Sequence, residues 1–287
     1  MTRRTATATV VFLLATACGG TSSSHGNAAA SKTFTYGAAT TATAAQAAAL
    51  QGSVTGATAV QAAPGATAAE GLADFSGVTD ALLGSSGASL AAAGASPALV
   101  RAVASRAAVT AATTTTGGFD NPSCAVVTAT GVTMRGCTIT IVNGTTTEKI
   151  SADGSMTLSN SNQTLTWDLS VGVNLVDTAM GLAETVSAHE SGTLTVTATT
   201  IKGSMLAELD AAASYAGQTQ SMGVDESLTI DVTYDPACLT GGVTGGTIEA
   251  KRVWTVLPAG ATGPQYQNVA AKVEWTGCGV ATIAIGH

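Results

Sequence analysis

The chain has 287 residues, of which 10 % are charged and 4 % aromatic, and its formal net charge is −7. The charged fraction is well below the roughly 25 % of an average soluble domain, and Thr, Ser, Asn and Gly supply polarity in its place. Apart from Arg3 and Arg4 near the N-terminus, the nine remaining Lys and Arg residues are scattered along the chain. The composition therefore excludes the basic patch that a nucleic-acid-binding protein needs, and we expect no nucleic-acid partner.

The N-terminus has the features of a bacterial export signal. Arg3 and Arg4 precede a weakly apolar stretch, Ala6–Ala15, which is too short to span a bilayer, and small residues lead into Cys18. The segment 1–17 resembles a bacterial lipoprotein signal peptide, in which the cysteine is diacylated and becomes the new N-terminus. The resemblance implies a lipoprotein that carries acyl chains such as palmitate on Cys18 and has the membrane as a partner through this anchor.

The alternative is an ordinary secretory signal cleaved nearby, with Cys18 incidental, and both interpretations export the chain. Cys18 is followed by Gly19, whereas an Asp would resemble an inner-membrane retention signal. By this resemblance the expected location is the outer membrane of the cell envelope. Whether the protein faces the periplasm or the cell surface stays open.

Two segments separate the signal from the rest of the chain. Residues 18–31 are small and polar without periodicity, which predicts a flexible tether. Residues 32–118 are rich in Ala, Gly and Thr and predict short helices broken by glycine, followed by a linker. The candidate helices are Thr41–Leu50, Ala68–Leu83 and a segment capped by Ser96 that continues to Ala107. We expect them to pack on the sheet that follows.

Residues 119–287 alternate apolar and polar side chains along most of their length. The clearest stretch is Gln163–Val176, whose alternation predicts a strand with one buried and one exposed face. Ala152, Asp153 and Gly154 suit a three-residue hairpin loop that would bring Ile150 opposite Met156. A change of phase predicts a bulge or turn around Ile201–Ser204.

These patterns predict a mainly β fold. About nine to eleven strands follow one another through short turns, which indicates an antiparallel meander with a small N-terminal helical segment packed on it. A curved sheet, a barrel and a sandwich would all bury one face of such strands. The sequence leaves these three arrangements open.

Four cysteines lie in the β segment, an even number in an exported chain. Three pairings are compatible with the sequence, and we favour Cys124 with Cys137 and Cys238 with Cys278. The first would close a strand-turn-strand unit, and the second would tie a strand end to the C-terminal hairpin. A metal site with four cysteine ligands is the less favoured alternative, because no C-x-x-C knuckle is present.

The sequence contains no recognisable set of catalytic or cofactor-binding residues, so we predict no enzyme and no cofactor. His189 and Glu190 are neighbours that would face opposite sides of a strand. Asp225 and Glu226, with Asp231 and Asp235, form the densest acidic group. Calcium binding there is conceivable, but a solvated turn and strand face is the favoured interpretation.

The function expected from these observations is structural or interactive: an exported, lipid-anchored envelope protein stiffened by disulfides. The alternative is a carrier of a lipid or another apolar ligand in a half-barrel cavity, by analogy of fold only. Trp167, Trp254 and Trp275 lie at predicted inward positions. Trp167 would fill the core under the first hypothesis and line a ligand cavity under the second.

Overall fold

A computed structural model describes residues 27–44, 46–47, 119–128, 130–159, 163–215, 218–235, 237–238, 242–257 and 265–287. The described residues include a short helix, α1 (Ala28–Ser31), helical residues at 44 and 46–47, and a 3-10 turn at Pro122–Cys124. The rest of the described architecture is β-sheet, which confirms the predicted fold class.

The described residues form eleven strands. They are β1 (Thr40–Thr41), β2 (Ala125–Thr128), β3 (Gly131–Asn143), β4 (Thr146–Ser159), β5 (Thr164–Asp177), β6 (Leu182–Val196), β7 (Thr200–Tyr215), β8 (Gln218–Tyr234), β9 (Val243–Leu257), β10 (Gln265–Gly277) and β11 (Val280–Gly286). The β5 strand coincides closely with the stretch Gln163–Val176 that showed the clearest alternation.

All strands belong to one antiparallel sheet with the order β1-β11-β10-β9-β8-β7-β6-β5-β4-β3-β2. From β2 to β11 each strand pairs with its neighbour in sequence, which is the predicted meander. Among the described residues, the edge strands β1 and β2 are not paired with each other. One apolar cluster nevertheless contains Cys124 beside β2, Trp167 on β5 and Ile283 on β11. One apolar face therefore continues across the sheet from β2 to β11.

The inward face follows the alternation of the strands. Its buried residues in the largest cluster include Met156, Leu165, Trp167, Leu194, Ile201, Met205, Leu228, Ile230, Ile248, Val273 and Trp275. Trp167 is only 1 % exposed and its ring covers Gly192 of the adjacent strand β6. The tryptophan is therefore a core residue, packed where a β-carbon on the neighbouring strand would not fit.

The meander places alternate turns at opposite ends of the sheet. The β3–β4, β5–β6, β7–β8 and β9–β10 connections lie at one end, which we call the rim. The β2–β3, β4–β5, β6–β7, β8–β9 and β10–β11 connections lie at the other end. Because the Cys238–Cys278 disulfide joins two of the latter connections, we call it the disulfide end.

The N-terminal residues Asn27–Ala42, here called the strap, cross the outer face of the sheet. Helix α1 contacts β8 and β9, Phe34 packs with Val253 and Ala270, and the chain then pairs with β11. The predicted tether ran to Ser31, whereas Asn27–Ser31 is docked on the sheet because apolar contacts and specific hydrogen bonds hold it there. Of the predicted helix Thr41–Leu50, residues 41–44 and 46–47 are described; residues 44, 46 and 47 are helical, and the N–H of Ala47 bonds the Thr43 carbonyl. The predicted helices Ala68–Leu83 and 96–107 lie outside the described residues.

The predicted hairpin loop at Ala152–Gly154 is wrong, because β4 continues through it from Thr146 to Ser159. Gly154 pairs with Leu169, and Ile150 pairs with Val173 instead of facing Met156. Gly154 has φ +121°, and a β-carbon there would lie 2.0 Å from the carbonyl oxygen of Asp168. Glycine is needed here because of the positive φ and the close approach of the neighbouring strand. The position lies beside the register shift in β3 and is not part of a turn.

The bulge or turn predicted around Ile201–Ser204 is also misplaced. Strand β7 starts at Thr200 and pairs with β6 without a register shift. The phase changes instead in the connection before it, where the Thr197 side chain bonds the backbone N–H and the hydroxyl of Thr200. Threonine hydroxyls close such turns without glycine or proline, so the usual turn residues do not mark the position.

We predict that Gly192→Ala destabilises the protein by about 1–3 kcal/mol, the usual cost of overpacking a core. The added β-carbon would lie 2.4 Å from the Ser204 carbonyl oxygen and 2.5 Å from the Trp167 ring. Denaturant unfolding measures the change. Gly277→Ala is the matched control, since a β-carbon there meets nothing within 4 Å. Equal unfolding midpoints for the two variants would contradict the packing described here.

Candidate functional site

A row of inward-facing residues carries charge across the middle of the sheet. The strand register aligns Glu190 on β6, Ala207 on β7, Glu226 on β8 and Arg252 on β9. Cross-strand partners share a face, and the three charged residues are 3 %, 1 % and 1 % exposed. Two carboxylates and one guanidinium are therefore held inside the fold, and we call this row the charged layer.

The charged groups of the layer are held by specific contacts. Arg252 Nε donates a hydrogen bond to Glu226 Oε1, and the guanidinium carbon lies 5.7 Å from the centre of the Trp254 ring. Trp167 Nε1 donates a hydrogen bond of 3.1 Å to Glu190 Oε1. Buried charges are tolerated when they are paired or hydrogen-bonded: Glu226 is paired with Arg252, and Glu190 accepts the indole hydrogen bond.

The charged layer divides the apolar interior in two. On the disulfide-end side lies the large cluster that contains Trp167, Leu194 and Ile248. On the rim side lies a smaller cluster of Val171, Ala188, Leu209, Ala211, Met222 and Val224. The layer is thus a polar partition inside the sheet, with apolar packing above and below.

A small cavity lies beside the layer at Ala207. It is lined by His189, Glu190, Ala207, Glu208, Leu209, Val224 and Glu226 and has room for about one water molecule. The small Ala207 side chain leaves this space between the two glutamates that flank it in the register. Its size suits about one water molecule and not an organic substrate.

The strap is fastened to the outer side of the same strands. The Asn27 side chain, 7 % exposed, donates two hydrogen bonds of 3.1 Å, one to the carbonyl of Ala207 and one to that of Glu226. The backbone N–H of Ala28 donates to Asp225 Oδ2 at 3.0 Å, and Asn27 Oδ1 caps α1 by accepting from Ala30 N. Ala207 and Glu226 therefore belong to the charged layer through their side chains and hold the start of the strap through their backbone carbonyls.

A second fastening point lies further along the strap. Tyr36 OH donates a hydrogen bond of 2.6 Å to Glu249 Oε1, and Lys251 Nζ lies 3.4 Å from Glu249 Oε2. The pKa of Tyr36 is raised, first by burial of the phenol and then by the hydrogen bond and negative charge of Glu249. The neutral phenol is therefore the form that holds the strap.

The outer face near the layer carries a loose group of titratable side chains. His189 Nε2 lies 2.9 Å from Asp168 Oδ1 in an exposed pair. The pKa of Glu208 is raised by partial burial and then by the neighbouring charge of Asp225. Within the described ranges, no group of three or more His, Cys, Asp or Glu residues could hold a metal ion.

The structure separates most of the residues that the sequence singled out. Asp225 points outward and Glu226 inward, so the two cannot chelate one calcium ion. Asp231 pairs with Lys202 at the surface. The cysteines form the favoured pairs, Cys124–Cys137 and Cys238–Cys278. The predicted lipidation residue, Cys18, lies outside the described residues.

Sequence reasoning missed the charged layer. Arg252 lies in phase with the inward residues Ile248, Ala250 and Trp254, and Glu190 lies in phase with Ala188 and Leu194. A charge in the apolar phase of a strand was the available signal. The partners could not be read locally, since Arg252 and Glu226 are 26 residues apart.

Comparisons with known proteins assign this arrangement to no family: no family model, no curated protein and no solved structure matches the chain. The site is therefore interpreted from its own geometry. In the part of the chain that the structure describes, no helix is long and apolar enough to cross a membrane.

We predict that Arg252→Leu destabilises the protein by about 3–5 kcal/mol at neutral pH, because it removes the cation that balances a fully buried carboxylate. The double variant Arg252→Leu/Glu226→Leu should recover much of this loss. Denaturant unfolding of both single variants and the double variant measures the coupling between them. Lys202→Leu, which breaks the exposed pair with Asp231, is the control and should change little. Additive effects of the two core substitutions would contradict a coupled pair.

We predict that alkali destabilises the protein through Tyr36. Its folded pKa lies above the ordinary value of 10.0, so the unfolded chain releases this proton more readily than the folded one. The stabilisation is complete below about pH 10 and is lost as the pH rises above it. Unfolding midpoints measured on either side of that pH should show the loss in the natural chain and a smaller loss in Tyr36→Phe. Tyr266→Phe, at an exposed tyrosine, should keep the full loss. An unchanged profile in Tyr36→Phe would refute the assignment.

Proposed function

We propose that this protein is an exported, lipid-anchored component of the cell envelope with a structural or interaction role. The observation that carries the proposal is the pair of disulfides in a chain that begins with a lipoprotein-like signal. Disulfides form and persist in oxidising compartments outside the cytoplasm. Both features therefore favour export, one from the signal and one from the folded domain.

The shape of the described domain supports a structural or interaction role. Long strands of 13 to 17 residues form one sheet from β3 to β10, and disulfides tie residues near its edge and at one end. The strap then links the sheet to the segment that follows Cys18. Such a body is suited to present its surfaces at a fixed distance from a membrane, with the outer membrane as the proposed location.

The alternative proposal, a carrier of an apolar ligand, finds less support in the described interior. It assigned Trp167 to the wall of a cavity of several hundred cubic ångströms, which is the usual size of a ligand pocket. Trp167 is packed against Gly192 and bonded to Glu190 in the main core. The cavity beside the charged layer holds about one water molecule.

We predict that Cys18→Ala releases the protein from the membrane fraction and removes the acyl mass from its N-terminal peptide. Cell fractionation followed by mass spectrometry measures both, and density-gradient separation of the two membranes tests the location. A Cys238→Ala/Cys278→Ala variant controls for cysteine loss as such and should stay attached.

Membrane attachment that survives Cys18→Ala would refute the anchor. An apolar lipid that co-purifies noncovalently with the released protein would favour the carrier function over the structural one.

A further inference from the structure

The two disulfides of the sheet differ in their exposure to solvent. Cys124 and Cys137 are 6 % and 0 % exposed and belong to the main apolar cluster. Cys278 is exposed in the β10–β11 turn, and its partner Cys238 is half-buried. An external thiol has to reach a sulfur atom before it can exchange, so access decides which disulfide of a folded protein reacts. The folded domain therefore offers one disulfide to such a thiol and withholds the other.

The buried disulfide has a structural task. Cys124 directly precedes β2, an edge strand of four residues, and Cys137 lies on β3. Among the described residues, β2 pairs with β3 alone. The Cys124–Cys137 bond therefore ties a short edge strand to its neighbour from inside the core. Its reduction requires that edge of the core to open.

The exposed disulfide adds little to the pairing of the strands that it joins. It connects the β8–β9 connection to the β10–β11 turn. The two strands between them, β9 and β10, pair continuously from Gly246 and Trp275 to Val256 and Gln265. β8 pairs with β9, and β10 with β11, along most of their lengths as well. The hydrogen bonds of the ladder thus already hold all four strands without the Cys238–Cys278 bond.

The ladder is irregular beside this disulfide. The β8–β9 register shifts between Thr233 and Tyr234, and the β10–β11 register shifts between Trp275 and Gly277. Irregular ends and turns open locally at low free energy while the regular part of a sheet stays paired. An incoming thiol can therefore gain access to the exposed disulfide without unfolding the domain.

Backbone hydrogen bonds keep the two cysteines near each other when their bond is broken. The N–H of Asp235 donates to the Gly242 carbonyl at 2.7 Å, and the N–H of Cys238 donates to the Asp235 carbonyl at 2.9 Å. The N–H of Gly279, next to Cys278, donates to a carbonyl at the start of β9. The reduced pair stays positioned to form its disulfide again.

We propose that Cys238–Cys278 is a redox-exchange site of the folded domain and that its partner is a dithiol protein of the C-x-x-C oxidoreductase class. Exposed disulfides are the ones that take part in exchange, and oxidoreductases of this class react through an activated thiolate. Reduction releases the β8–β9 connection from the β10–β11 turn and leaves Cys124–Cys137 oxidised. The inference concerns the folded domain and does not depend on the lipid anchor.

The exchange proceeds in two steps. A thiolate of the partner attacks Sγ of the exposed Cys278 and forms a mixed disulfide, while the electron pair of the broken bond goes to Cys238 Sγ, which takes a proton from water. The second thiol of the partner then attacks its own sulfur in the mixed disulfide and releases Cys278 as a thiol. The partner is oxidised to a disulfide, and this domain is reduced by two electrons. A dithiol is required because Cys238, held nearby, reverses the first step when the attacking molecule has no second thiol.

The test treats the oxidised, natural full chain with a reduced thioredoxin-type C-x-x-C protein in the absence of denaturant. Alkylation and peptide mass spectrometry follow each cysteine. We expect Cys238 and Cys278 to be labelled at least about tenfold faster than Cys124 and Cys137, as for exposed against buried disulfides. Circular dichroism should show unchanged strand content. The Cys238→Ala/Cys278→Ala variant is the matched control and should take up no label at the two remaining disulfide cysteines, and denaturant should make both disulfides of the natural chain react alike.

A C-x-x-Ser form of the same partner tests the order of attack. It lacks the second thiol, so it should be trapped in a mixed disulfide with Cys278. A complex trapped through Cys238 would contradict the proposed first step. Reduction by mercaptoethanol, a monothiol, that is as fast as reduction by the dithiol at equal thiol concentration would contradict the requirement for a dithiol.

Equal labelling of the two disulfides in the folded chain would overturn the inference. Cys238 and Cys278 that stay unlabelled until denaturant is added, or a loss of strand content on their reduction, would overturn it as well. The acylation of Cys18 is determined from the same peptide maps. An unacylated Cys18 refutes the lipid anchor and leaves the exchange site standing, whereas an acylated chain with an unreactive Cys238–Cys278 bond refutes the exchange site alone.

Discussion

The buried ion pair of Glu226 and Arg252 is the constraint on which the rest of the structure depends. The two residues are direct partners in the β8–β9 register and both are 1 % exposed. A shift of one strand by one residue would turn its side chains to the opposite face. Arg252 would then lose Glu226 and leave it inside without its cation, at a cost of several kcal/mol. The ion pair therefore favours one pairing register of β8 and β9 over the others. Apolar residues alone would separate these registers by less free energy.

Neighbouring contacts extend this constraint across the sheet. Glu190 takes the indole hydrogen bond of Trp167, which relates β5 to β6. Asn27 binds carbonyls of β7 and β8 from the other side. The strap can thus dock only on correctly paired strands, because its two acceptors, Ala207 and Glu226, are brought together by the register. The charged layer inside and the strap outside both depend on the pairing of β7 with β8.

The fold was predictable to the extent that it depends on alternation. The β5 strand and the antiparallel meander follow from period-two patterns and short connections. The cysteine pairing found here was the favoured one of three that the sequence left open. The place of Gly154 within a strand was not predictable, because a glycine in a hairpin loop and a glycine beside a bulge look alike in a single sequence. The choice of a single open sheet over a sandwich or barrel depends on which strands are left unpaired on one side at the edges, here β1 and β2 among the described residues. No local pattern encodes this choice.

The attachment of the strap has a mechanical consequence. Any tension that reaches the sheet through the residues before Asn27 acts first on the two hydrogen bonds of its side chain and on that of Ala28. Such a pull would peel the strap from the face one contact at a time and would not shear whole strands past each other. The contacts of the strap therefore take the load before the charged layer, the disulfides and the strand ladder from β2 to β11 do.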